Sequence, residues 1–367
     1  MKALVLGKGK SGTAAATLLK AQGYEVDFAD GYDCVVTSPG LRTKSELQLG
    51  CEELKRRGWK LLAVTGSKGK SSVVKVVADA IGGVPCGNYG RPVTDLISEK
   101  PGWAVVEVSS FQLETTTLPS DTFEAAAILN LQEDHLDRHG SVEVYHGLKR
   151  KLLAFAKKGI EPVKRSEGRF SALWAGSYFD NETLAGNAAI AVELMRVAGL
   201  DDAKIAAAFR HFVPLPHRMN LIAEIGGVRY VDDSKATSLA ALIAGVKMAS
   251  AKPHPLSLIP HPSILLIAGG LPKGDDPKTA LSALTDRVKK VYLIGQSVEA
   301  FFAAWKDAVD CEICGTMEKA VDEAKREAEK GETVLLSPGT ASFDQFKSYE
   351  ERGDVFARLV KEKGQPK

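Results

Sequence analysis

The sequence predicts an α/β protein of more than one domain, built on parallel sheets. Three observations carry this. Short apolar runs rich in branched residues alternate with stretches whose apolar positions recur at helical spacing. Two of the junctions between them are glycine turns of the kind that hold phosphate, Gly7-x-Gly9-x-x-Gly12 and Gly66-x-x-Gly69-Lys70-Ser71. And 367 residues are enough for two or three separate cores.

Taken in order, Lys2–Leu6 reads as a strand, Thr13–Gln22 as a helix and Glu25–Ala29 as a second strand ending at Asp30. This is the dinucleotide fingerprint with an acid where a ribose hydroxyl is read. Only about 60 residues precede the next phosphate loop, roughly half a two-halved dinucleotide domain, so 1–57 reads as one truncated nucleotide-diphosphate module. Cys34–Gly40 reads as a third strand and turn. Leu61–Val64 is a buried strand, followed by the second glycine turn and a helix over Val73–Ile81. There Lys70 brings charge to the β/γ-phosphates, and the Ser71 hydroxyl is a Mg²⁺ ligand type. Val64 stands where the general phosphate-loop pattern has its first glycine.

Trp103–Val108 is a further strand with Glu107 near its carboxyl end, and Ala125–Leu129 another, leading to Asn130 and Glu133-Asp134-His135-Leu136-Asp137-Arg138. Ligands of open α/β sheets gather at such ends, so Glu107 and His135 both aim at the metal and γ-phosphate that Lys70 and Ser71 would hold. Tyr145–Lys158 reads as a basic amphipathic helix carrying Lys149, Arg150 and Lys151. Asn187–Ala198 is another helix, and Val213-Pro214-Leu215-Pro216 marks a stiff junction. Beyond it, Arg229–Val231, Ile264–Ala268, Val291–Ile294 and Thr333–Leu336 read as strands and Leu239–Ala249 as a helix. Ser250–Ser263, with its prolines, reads as an exposed loop. Alternation throughout predicts parallel pairing in every section.

Composition narrows the functional class. With 48 Lys plus Arg against 46 Asp plus Glu, the net charge of +2 makes no case for nucleic acid or a membrane surface as partner. The apolar start MKALVL is too short for a signal peptide, and no run approaches the ~18 residues of a membrane span, so a cytoplasmic location is expected. Five cysteines suit a reducing compartment, and Cys311-x-x-Cys314 without a second pair reads as structural or incidental rather than as zinc or redox chemistry.

Six blocks together resemble the Mur ligases of peptidoglycan synthesis: Thr65–Ser71, Glu107–Glu114, Glu133–Arg138, Pro216-His217-Arg218, Asp232–Thr237 and Ser337–Phe346. The resemblance covers nearly the whole chain, and the family's shortened phosphate loop accounts for Val64. It implies three domains: a truncated Rossmann-like UDP-binding domain (1–57), a central P-loop ATPase domain (58–213) and a C-terminal Rossmann-like domain that brings the amino acid (214–367). It implies ATP-dependent amide formation through an acyl phosphate, joining D-glutamate to UDP-N-acetylmuramoyl-L-alanine, with a monomer and two Mg²⁺ ions expected.

By the same resemblance, Gly66, Ser67, Lys68, Gly69, Lys70, Ser71 and Ser72 cradle the ATP phosphates. Ser71 and Glu107 hold the first Mg²⁺, and His135 the second. A carbamylated lysine assists that second ion; Lys149 is the match and Lys151 its competitor. Asn187 lies on the adenine side, where Gly186 replaces the family's usual His. Arg218 meets the ATP phosphates, Asp233 the ribose, and Lys235 the reacting phosphate and carboxylate. Thr237, Lys273, Ser342 and Tyr349 (commonly Phe) match the D-glutamate contacts. Lys10, Ser11, Asp30 and Asn88 match the UDP-substrate side, Lys10 and Ser11 at the diphosphate or uracil and Asn88 at the muramoyl part.

Three rivals are kept in view. One is a ligase of the same superfamily using diaminopimelate, L-alanine or a folate, against which the Ser337–Phe346 block and Lys273 argue. An NAD-dependent oxidoreductase built on Gly7–Gly12 leaves Lys70, Glu107 and His135 without a use. The third is a regulatory ATPase without ligase chemistry.

Overall fold

The computed structural model describes residues 2–29, 34–37, 44–133, 136–162, 170–250 and 264–362. The chain forms two compact units, one of residues 1–180 and 184–212, the other of 181–183 and 213–367. The expected α/β class is observed, with parallel sheets predominating.

The first unit holds two sheets. In the smaller, β1 (Lys2–Leu6), β2 (Glu25–Ala29), β3 (Cys34–Thr37) and β4 (Lys44–Ser45) lie in the order β2-β1-β3-β4, with α1 (Lys10–Ala21) following β1. β1 and β2 pair in parallel, but β3 runs antiparallel to both β1 and β4, which corrects the expectation of parallel pairing everywhere. Only four residues separate β2 from β3, too few for the crossover that a parallel return requires. The core here is small, made of Ala3, Val5, Ala15, Ala16 and Leu19. Helix α2 (Glu46–Arg56) starts at Ser45, whose Oγ accepts the Gln48 N–H at 3.1 Å.

The larger sheet is wholly parallel, ordered β6 (Val84–Gly87), β7 (Trp103–Glu107), β5 (Lys60–Thr65), β8 (Ala125–Ile128) and β9 (Gly159–Ile160). β5 is central and buried along all but its first residue, as its continuous apolar run requires. Its helices are α3 (Lys70–Ile81), α4 (Ser110–Thr115), α5 (Leu136–His139), α6 (Val142–Lys151), α7 (Ala185–Val197) and α8 (Asp202–His211). The helix expected over Tyr145–Lys158 stops at Lys151. A 3₁₀ turn over Leu152–Phe155 then buries Leu152 and Phe155, and Lys157 donates its N–H to Phe123 O at 2.9 Å as the chain becomes the sheet's edge.

In the second unit the order is β10 (Asn220–Ile225), β11 (Val228–Asp232), β15 (Thr333–Leu336), β12 (Ile264–Gly269), β13 (Val288–Ile294) and β14 (Asp310–Gly315). β10 is antiparallel to β11, a second exception. Gly226 and Gly227, with φ of 61° and 79°, make the tight turn of that hairpin, a conformation that side chains resist. α9 (Leu239–Ser250), α10 (Leu281–Leu284), α11 (Val298–Trp305), α12 (Met317–Glu327) and α13 (Tyr349–Glu362) complete it. Separate apolar clusters fill the two faces, one around Leu265, Ile267 and Phe356, the other around Leu266, Leu293 and Trp305. Cys311 and Cys314 both lie on β14 as free thiols, each pushed up to about 11 by burial, which suits a structural pair. The loop expected over 251–263 lies outside the described residues. No helix among those described is long and apolar enough to cross a membrane.

Candidate active site

The phosphate loop of the first unit is the turn from β5 into α3. Gly66 (φ 149°) and Gly69 (φ 83°) take conformations open chiefly to glycine, and a Cβ on Gly69 would lie 2.1 Å from Asn187 Nδ2. The chain after β8 backs the loop closely. Asn130 Oδ1 accepts the Lys68 N–H at 2.9 Å, while its Nδ2 donates to Lys68 O at 2.9 Å and to Asn187 Oδ1 at 3.1 Å. Ser67 Oγ donates to Gln132 O at 3.0 Å and lies 3.3 Å from the Tyr145 hydroxyl. Lys70 folds back on the loop, its Nζ donating to Gly66 O at 2.8 Å. Ser71 and Ser72 are buried at the start of α3. Asn187, in α7, is itself buried and meets the loop through Asn130, the residue bonded to the Lys68 backbone.

Glu107 is 2% exposed and ends β7 directly beside Val64 of β5. The Thr65 hydroxyl donates to Val108 O at 2.8 Å and fixes the two strand ends together. Asn88 Nδ2 donates to Glu107 Oε1 at 2.7 Å, but Oε2 is buried without a hydrogen-bond partner among the described residues. An orphaned carboxylate oxygen next to a phosphate loop, with the Ser71 hydroxyl on that loop, is a donor set of hard oxygens that suits Mg²⁺. His135, expected to join it, lies outside the described residues, as does Asp30.

The two lysines proposed for the carbamate part company. Lys149 is 1% exposed, and its Nζ donates to Gly66 O at 3.1 Å and lies 4.3 Å from the Tyr145 ring centre. Lys151 instead donates to Leu113 O at 2.9 Å. Of the two, Lys149 is the one bonded to the phosphate loop, and a carbamate at that nitrogen keeps an N–H for Gly66 O.

A cleft of about 550 Å³ opens beside Asn88, with Lys10, Ser11, Glu46, Ser109, Gln112 and Arg138 in its wall. Three of the residues assigned to the UDP side, Lys10, Ser11 and Asn88, thus face one space. Ser109 and Gln112 cap α4 reciprocally, the Ser109 N–H donating to Gln112 Oε1 at 2.9 Å and the Gln112 N–H to Ser109 Oγ at 3.2 Å. Glu46 accepts the N–H and hydroxyl of Thr94 at 2.8 and 2.9 Å, and burial raises its carboxyl above the ordinary range.

In the second unit, most of the residues assigned to nucleotide and amino acid follow β11 and β15, with Arg218 before β10 and Lys273 after β12. Asp233 is 8% exposed and accepts the Ser337 hydroxyl at 2.9 Å; burial pushes its carboxyl up to about 7, against the pull of that bond and of Arg218. Lys235 Nζ stands 3.7 Å from the Tyr349 ring centre, and burial lifts the Tyr349 phenol to about 12. His217 Nδ1 lies 2.7 Å from Asp232 Oδ2, which raises the imidazole's affinity for a proton. Thr237 is half-buried just after Lys235, Ser342 is 2% exposed past β15, and Lys273 is exposed past β12. Asn130, Tyr145 and Arg352 were not singled out in the sequence. Asn130 alone carried a signal, standing at a strand end as Glu107 does.

A phosphate loop with a strand-end carboxylate, a polar cleft beside it and a second doubly covered sheet define a nucleotide-handling α/β enzyme of the P-loop kind. Residues 91–167 match the Mur ligase middle domain, and residues 217–339 the Mur ligase glutamate ligase domain. The chain is 32% identical to the UDP-N-acetylmuramoylalanine--D-glutamate ligase of Aquifex aeolicus, over 98% of each protein. It is 33% identical to that of Nitratidesulfovibrio vulgaris, over 98% of this chain and 95% of the relative. Among solved structures, MurF ligase from Thermotoga maritima in complex with ADP superposes with a TM-score of 0.64 at 16% identity, covering 98% of this chain and 94% of that one. E. coli FolC in complex with DHPP and ADP gives 0.62 at 13% identity, over 89% and 95%. The chain belongs to the Mur ligase family.

Proposed function

We propose that this chain is an ATP-dependent ligase that joins D-glutamate to UDP-N-acetylmuramoyl-L-alanine, a cytoplasmic step of peptidoglycan synthesis. The observation that carries the reading is Glu107. One of its oxygens is held by Asn88 in the wall of the cleft, and the other has no hydrogen-bond partner among the described residues and ends its strand beside the one that leads into the phosphate loop. In this reading one buried carboxylate links the sugar-peptide side, through Asn88, to the nucleotide side, through its other oxygen.

In this reading residues 1–57 serve the UDP end through Lys10, Ser11 and Asp30, residues 58–213 hold ATP, and residues 214–367 bring the amino acid. The lactyl-alanine carboxylate attacks the γ-phosphorus, forming the acyl phosphate as the bond to ADP breaks. The amine of D-glutamate then attacks the acyl carbon, phosphate departs, and the amine proton passes to solvent. Lys70 releases Gly66 O and turns to the β/γ-phosphates, with the loop N–H groups around them. Ser71 and Glu107 hold Mg²⁺, and His135 with carbamylated Lys149 a second ion. Bound there, magnesium neutralises the phosphate and carboxylate oxygens that otherwise repel. Asn187 serves the adenine side, Arg218 the phosphates and Asp233 the ribose. Lys235 reaches the reacting groups, and Thr237, Lys273, Ser342 and Tyr349 take D-glutamate.

The test is phosphate release from ATP with UDP-N-acetylmuramoyl-L-alanine, comparing D-glutamate, L-glutamate and diaminopimelate. Release only with D-glutamate is expected. Equal release with all three, or with none, rejects the assignment.

A further inference from the structure

Arg352 breaks three local rules at once. It closes the first turn of α13, where the helix dipole disfavours a cation. It is 1% exposed, so its charge is almost wholly out of water. And among the described residues no carboxylate lies within ion-pair distance of it; Asp344 and Asp232 act only from further off. Burial lowers the guanidinium to about 10, still charged at neutral pH. A residue so placed costs stability, and such violations mark functional positions.

The guanidinium spends its donors on two loops. Nε donates to Ser234 Oγ at 3.0 Å and Nη2 to Ser234 O at 2.9 Å. Nη2 also donates to Thr340 O at 3.2 Å, and Nη1 to Ala341 O at 3.2 Å. Ser234 Oγ in turn donates to Tyr349 O at 2.8 Å. One planar fork thus fixes the turn after β11, the turn after β15 and the start of α13. Those segments carry Lys235, Thr237, Ser342 and Tyr349. Gly270 leaves room for it: a Cβ there would come within 2.4 Å of Ala341 O and 3.2 Å of Arg352 Nη1.

We propose that Arg352 is the positioning residue of the amino-acid site, holding the Ser234–Thr237 and Thr340–Ser342 segments at one spacing while its buried charge, with no carboxylate at ion-pair distance among the described residues, draws an acidic amino acid between them. The proposal rests on the reading that this unit receives the amino acid. A lysine keeps the charge but cannot span the four acceptors, so the two contributions separate.

The experiment is steady-state kinetics of wild type, Arg352→Lys and Arg352→Ala, each checked by circular dichroism and thermal melting. A displacement of about 1 Å in such a site costs about 100-fold in rate, so kcat/KM for D-glutamate in the Ala variant should fall by about that factor, with KM for D-glutamate raised. KM for the UDP-sugar, bound in the other unit, should hold. Lys should fall between, and guanidinium at non-denaturing concentration should restore part of the Ala variant's activity. An unchanged D-glutamate KM in either folded variant overturns the proposal. So does an equal rise for both substrates, or a folded Ala variant that guanidinium leaves unaffected. If Ala does not fold, the Lys variant decides by the same KM comparison. A wild type that turns over no acidic amino acid refutes the ligase reading instead.

Discussion

Replacing Asp233 with asparagine should flatten the pH dependence of the second unit's stability. Burial holds this carboxyl at about 7, against 3.8 for the ordinary group. The unfolded chain returns it to the ordinary value. Between pH 3.8 and about 7 the unfolded state is therefore ionised while the folded state keeps its proton. The stability that the neutral carboxyl contributes is complete below the lower value and drains as pH rises through the upper one. A gap of about three pH units at 1.36 kcal/mol each amounts to about 4 kcal/mol. Asparagine keeps an acceptor for the Ser337 hydroxyl and carries no charge at any pH. Urea unfolding, followed by hydrogen exchange in β12 and β13, should show the variant gaining about 4 kcal/mol on wild type between pH 4 and pH 8. Parallel pH curves for the two proteins would refute the reasoning.

Other changes should separate as clearly. Lys70→Ala should abolish phosphate release yet shift the melting temperature little, because bonds such as those of its Nζ to Gly66 O and Ser67 O are worth about 1 kcal/mol each; a large drop in stability would contradict this. Lys149→Ala should be inactive and partly recovered by short carboxylates such as formate or acetate, while Lys151→Ala should not need them; rescue of the second variant instead moves the carbamate. Gly69→Ala should lose nucleotide binding, since its φ of 83° strains a side chain by about 1–3 kcal/mol and the Cβ meets Asn187. Calorimetry that finds nucleotide binding unchanged in Gly69→Ala would contradict this. Asn88→Ala should raise KM for the UDP-sugar about tenfold, the loss of one hydrogen bond of about 1.4 kcal/mol from the wall of the cleft assigned to that substrate; an unchanged KM places that substrate elsewhere.

The sequence spoke most clearly where local chemistry and position coincide. Leu61–Val64 with Gly66 and Gly69 could only be a strand breaking into a helix, and Thr333–Leu336 falls on the residues expected. Glu107 was legible because it ends an apolar run. Antiparallel pairing was not, because direction depends on the length of a connection rather than on the residues of a strand; the Gly226-Gly227 turn was the one available sign of the β10–β11 hairpin. Asn130 and Arg352 act through bonds spanning 62 and 118 residues of chain, respectively. No periodicity records such partners, and an arginine on a charged helix looks like a solvated one until its burial is known.

The small N-terminal sheet rests on five modest side chains, with Leu49 of α2 packed against them from the neighbouring layer. So thin an interior cannot sustain a free-standing module. Expressed by itself it should remain a collapsed, exchanging chain, whereas residues 44–212 hold an apolar interior of their own. The N-terminal layer is thus an annex raised against a finished wall. Natural variation there can shorten or rebuild it while the phosphate-handling machinery stays intact.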